Sequence, residues 1–163
     1  MQAKTSQLQI RVSPTEKATL KRLASASGLS VSAYVLSRVL PAAGEALNRK
    51  IGALERAEEL DGALAELVGY LAELDEGEFG QATEQVELTG LTPLQRNYAA
   101  AAVEREASRR DRPPPAWTAD VEPLHRPHFP LGLRALRPHF MRVSAPAFKR
   151  RNVFHPIPSD PRR

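Results

Sequence analysis

Residues 8–17 read Leu-Gln-Ile-Arg-Val-Ser-Pro-Thr-Glu-Lys, and the junction inside this stretch decides how the chain begins to fold. Leu8, Ile10 and Val12 alternate with Gln7, Gln9 and Arg11, the two-residue period of a half-buried strand. The alternation stops at Ser13-Pro14-Thr15-Glu16. Ser13 is placed to cap a helix, Pro14 suits its first position, and Glu16 completes a capping box. The helix so started carries Leu20, Leu23 and Ala24 as an apolar stripe, with Lys17, Lys21 and Arg22 outside it. Gly28 supplies a left-handed stop. Ser30 caps a second helix, whose inward positions are Tyr34, Val35, Val39 and Leu40, and Pro41 meets its far end.

One strand and two short helices make an incomplete unit. A lone strand cannot satisfy its own backbone groups, and so few apolar residues cannot bury a core, so the reading requires pairing with a second copy. The expected fold class is therefore all-α with a short N-terminal β-ribbon, formed as a homodimer or higher oligomer, followed by a helical extension and an extended C-terminal tail. The expected boundaries are residues 1–41, 42–112 and 113–163.

Charge is distributed to match. Residues 1–40 hold six Lys or Arg against one acid, and residues 41–92 hold three against twelve. Residues 93–112 hold five against three, and residues 113–163 hold nine against three. A basic head next to an acidic middle places nucleic-acid contacts at the N-terminal end, because the middle repels phosphate.

From about Glu45 to Asp75, Leu47, Ile51, Leu54, Leu60, Leu64, Leu67, Leu71 and Leu74 form one apolar seam, which predicts a long amphipathic helix, interrupted near Gly62, packed on a partner helix. Thr92 and Pro93 open a further helix, Leu94 to about Arg110, whose alanines at 99–102 favour close packing. After Pro113 the character changes: eleven of the fourteen prolines fall in the last 51 residues, which excludes continuous helix or sheet. The same segment holds Trp117, Phe129, Phe140, Phe148 and Phe154, and these require a surface to bury against.

The head, through Leu-Gln-Ile-Arg-Val-Ser-Pro-Thr-Glu-Lys and then Gly-Leu-Ser-Val-Ser-Ala-Tyr-Val at 28–35, resembles the ribbon-helix-helix family of DNA-binding proteins. The resemblance implies that Gln7, Gln9 and Arg11 read base edges of operator DNA, which suits bidentate pairing of glutamine with adenine and arginine with guanine. It also implies that the amides near Ser30, Val31 and Ser32 anchor phosphate at a helix N-terminus. Lys4 and Thr5 would add phosphate contacts. The alternative for all of these residues is the solvated face of an amphipathic strand.

The tail looks like a segment found behind the DNA-binding heads of bacterial antitoxins. That resemblance implies an autorepressor that neutralises a toxin, of nucleotidyltransferase type, through Trp117, Phe129, Phe140, Phe148, Arg150, Arg151 and Phe154. Two readings compete with it: a tail that contacts DNA, and aromatics that fold back on the protein's own helices. The second functional class is a relaxosome accessory or partition protein of a mobile element.

Other chemistries have no visible apparatus. The chain has no cysteine, which removes disulfides, thiolate metal sites and thiol nucleophiles and makes the cytoplasm the expected compartment. No secretory signal or apolar run of membrane-spanning length is visible. His125 and His128 lack a third ligand at diagnostic spacing, and no phosphate loop or nucleophile motif occurs, so neither cofactor, metal nor enzymatic activity is expected.

Overall fold

A computed structural model describes residues 9–39, 43–130 and 134–156, and the chain divides into two compact units, Met1–Ala42 and Ala43–Arg163. In the first unit, α1 (Pro14–Ala26) starts where the capping residues place it. Ser13 is extended, its Oγ accepts from the Glu16 amide at 3.3 Å, and the Ser13 amide donates to Glu16 Oε2 at 2.7 Å. These bonds to Ser13, backbone before side chain, hold the Glu16 carboxyl below its ordinary range. The helix ends at Ser27, and Gly28 adopts φ +67° so that the Leu29 amide can return to Ala24 O at 3.0 Å. A second helix, α2 (Val31–Val39), follows at once.

The expected β-ribbon is not formed. Gln9 to Val12 are irregular and exposed, and no strand occurs among the described residues. Alternation specifies which face a strand would bury, but the backbone donors and acceptors of a strand need a neighbouring strand, and this chain offers none there. Ile10 and Val12 stand open, and the first unit buries only Ala24 and Tyr34 among its described hydrophobic residues.

The second unit is built around one helix. Its elements are α3 (Ala43–Arg56), α4 (Leu60–Glu73), α5 (Glu76–Glu84), α6 (Pro93–Arg109), a 3-10 turn at Ala116–Asp120, another at Arg134–Leu136, α7 (Arg137–Val143) and α8 (Pro146–Arg150). The leucine seam does not form one helix seeking a partner. It breaks at residues 57–59, and α3 packs on α4 as a hairpin in which Leu47, Ile51 and Leu54 share a core with Leu64, Leu67 and Leu71. Folding back satisfies the seam within one chain.

Helix α6 is capped by Thr92 and Gln95 in a reciprocal box, with Pro93 at its start. It buries residues on all sides, from Tyr98 through Val103 to Ala107. The small side chains at 99–102 admit neighbours closely, and α3, α4, α8 and the first 3-10 turn all pack on this helix.

The expected extended tail is likewise corrected. Residues 113–156 belong to the second unit rather than trailing from it, and Ala147, Phe148 and Val153 join the same core as α3, α4 and α6. Proline forbids long helices but sits well in a first turn. Here Pro138 and Pro146 occupy the opening positions of α7 and α8, so prolines start short helices instead of preventing them.

Candidate nucleic-acid interface

The first unit gathers the residues expected to meet DNA. Gln7 lies outside the described residues, as do Lys4 and Thr5. Gln9 and Arg11 are exposed on the irregular segment preceding α1. At the start of α2, Ser30 Oγ accepts from the Ala33 amide at 3.2 Å, and Ser30 O accepts from the Tyr34 amide at 2.8 Å. The cap therefore uses the third helical amide. The amides of Val31 and Ser32, in the first turn, have no acceptor within the helix, and both residues are exposed. With no acid in the first turn of α2, its partial positive charge is left open to an anion.

Cations surround this unit. Lys17, Lys21 and Arg22 are exposed on α1, and the Arg38 guanidinium lies over the Tyr34 ring at 5.4 Å. Apolar groups are exposed beside them: Ile10 at 59 %, with Val12, Leu23, Leu29, Val31 and Leu36 also open.

The residues expected to grip a protein partner sit differently. Phe148 is fully buried and Phe140 nearly so. Trp117 is half-buried, its Nε1 donating to Thr83 O at 2.9 Å. Phe129 and Phe154 stack on each other, 5.0 Å between centroids at 13°. Arg151 is buried and spends its guanidinium internally: Nη2 donates to Glu104 Oε1 at 2.5 Å and to Thr118 O at 2.6 Å, and Nη1 donates to Val121 O at 2.9 Å. Arg150 remains exposed, with Nη2 3.8 Å from Glu104. Four of the seven, Trp117, Phe140, Phe148 and Arg151, thus hold the second unit together.

Three residues that the sequence did not single out complete this interior. Asn97 accepts from Arg151 at 3.3 Å and donates to Glu122 O at 2.9 Å. Glu104 stands seven residues later on the same face of α6, and that spacing of two polar residues in an otherwise alanine-rich helix was the available signal. Tyr98 lies edge-on to both His128 and His155, at 6.0 and 5.9 Å. Its buried hydroxyl has no hydrogen-bond partner, and burial, then the Asp61 charge, pushes its pKa up. His155 Nε2 approaches Asp61 Oδ1 at 3.1 Å, close enough for attraction when protonated but not aligned as a hydrogen bond. Among the described residues no group of three His, Asp or Glu is arranged to hold a metal ion, and no helix is long and apolar enough to cross a membrane.

Residues 2–75 match the NikA-like family model, described as mobilization protein NikA. The match spans the first unit and continues through α3 and α4, which is under half of the chain. No curated protein and no solved structure matches.

Proposed function

We propose that the chain is a DNA-binding accessory protein of a mobile element's mobilization apparatus, acting on duplex DNA through its first unit. The observation that carries this reading is the match of residues 2–75 to the mobilization family, over the segment where cations, exposed polar side chains and two unoccupied helix amides coincide. In this reading Gln9 and Arg11 contact base edges, joined by Gln7, while the Val31 and Ser32 amides take a backbone phosphate. Two copies act together, since the first unit's open apolar groups are covered by a second chain. The protein binds and positions; it performs no chemistry of its own, needs no cofactor and works in the cytoplasm.

The family match favours this role over an antitoxin. That alternative rests on a free aromatic tail, and Phe140 and Phe148 are buried inside the protein itself. A toxin partner therefore has no support here.

The test is a binding titration of the full chain against the origin-of-transfer duplex of its own mobile element and against random duplex of equal length, at two salt concentrations. Preference for the origin, lost in Arg11→Ala, supports the reading. Equal binding to both duplexes, or no effect of Arg11→Ala on the preference, overturns it.

A further inference from the structure

Between Glu122 and Asp160 the chain contains no acidic residue, yet it holds Arg126, Arg134, Arg137, Arg142, Lys149, Arg150 and Arg151. Arg151 is consumed by Glu104. Most of the others are displayed: Arg126, Arg137, Arg142 and Arg150 are exposed, and among the described residues Arg126, Arg137 and Arg142 have no acidic partner. So many like charges in one folded segment cost stability through self-repulsion, and a polyanion would relieve it.

The segment is also ordered in a way that a solvated charge run is not. Phe129 stacks on Phe154, and the Arg137 guanidinium lies over the Phe129 ring at 5.1 Å, making a three-layer pile. His128 and Val153 form a parallel bridge beneath it, with the His128 amide donating to Asn152 O at 2.8 Å. Lys149 Nζ donates to Arg142 O at 3.1 Å, which pins a cation at the end of α7. Leu136, Met141 and Val143 are exposed on and next to that helix. Flat cationic and apolar groups interleaved with phosphate-seeking arginines suit a strand whose bases are unpaired, because stacking requires an open base face. A duplex would use only the charges.

The geometry points to a second nucleic-acid surface on residues 126–150, specific for single strands and separate from the duplex-binding first unit. Arg137 offers its planar face to a base, and Arg126, Arg142 and Arg150 take the phosphates. This goes beyond the duplex-binding role and does not depend on it.

The test uses the full chain and a labelled single-stranded oligonucleotide of mixed sequence, with the origin duplex as second probe. Arg126→Ala, Arg137→Ala and Arg142→Ala together should weaken single-strand binding roughly tenfold or more and reduce the salt slope by about 2, at about 0.7 for each phosphate contact. Arg137→Lys keeps the charge and removes the stacking plane; it should lower affinity with the slope unchanged. Arg11→Ala should leave single-strand binding intact, so failure of the duplex reading is seen separately. Parent-like affinity and slope in the triple variant would overturn the inference. So would loss of duplex binding with single-strand binding retained, or a parent protein that binds an acidic polypeptide in place of the oligonucleotide.

Discussion

Arg151 Nη2 lies 2.5 Å from Glu104 Oε1, and this pair joins the turn after α8 to the middle of α6 across 47 residues of sequence. The arginine is buried, the glutamate nearly so, and the remaining guanidinium donors reach Thr118 O, Val121 O and Asn97 Oδ1. A cation so enclosed is tolerated because every donor finds an acceptor.

Arg151→Met leaves Glu104 without its close partner, and loss of one member of a buried pair costs about 3 to 5 kcal/mol. The double variant Arg151→Met with Glu104→Gln should lose less than the sum of the single changes, since it removes both charges at once. Urea denaturation of the four proteins measures this. Strict additivity would show that the pair is not coupled.

Phe148→Ala should cost about 3 to 5 kcal/mol, as expected for truncating a fully buried phenylalanine. If residues 113–156 instead trailed freely, the substitution would leave the thermal midpoint unchanged. A melting curve separates the two.

His128 is held below the ordinary imidazole value of 6.5, by burial first; the Asp61 charge opposes this and His155 adds to it. Its folded value is thus below its unfolded one. As pH falls below about 6.5 the unfolded chain takes up more protons at this site, so the stability it contributes is full above that pH and declines through the folded value. Melting temperatures between about pH 8 and about pH 5 should fall on acidification, and His128→Phe should make the fall shallower. Parallel curves for the two proteins would count against this assignment.

Val31→Pro tests the helix amide directly. Proline fits the first position of a helix and removes only the N–H that the helix itself does not use. Helical content should be unchanged while duplex affinity drops several-fold for origin and random DNA alike, because phosphate contacts position without selecting sequence. Unchanged affinity would place the phosphate elsewhere.

Gly90 adopts φ +84°, and a Cβ there would meet Glu55 Oε1 at 2.8 Å. Gly90→Ala should therefore destabilise the second unit by about 1 kcal/mol or more, from the left-handed backbone and the displaced carboxylate together. Chemical denaturation reads it.

The amino-acid sequence by itself determined the local events. Ser13 with Glu16, Gly28, Ser30 and Thr92 with Pro93 fixed where helices start and stop, because capping involves groups within three or four residues of one another. It also determined the segregation of charge that makes the head a nucleic-acid surface. Tertiary structure decided what each apolar set packs against. The period of Leu47 to Leu74 is the same for a helix on a partner and for a hairpin broken at residues 57–59. The aromatics after Pro113 satisfy burial equally in a partner's pockets or against α6. The alternation at Gln7–Val12 names a face but not a neighbour, and Gln9–Val12 stay irregular for want of one. In each case the hydrophobic effect rewards area removed from water without specifying the other surface. Contacts such as Arg151 with Glu104 supply that specification, since directional bonds between distant residues exist only once the chain has been brought together.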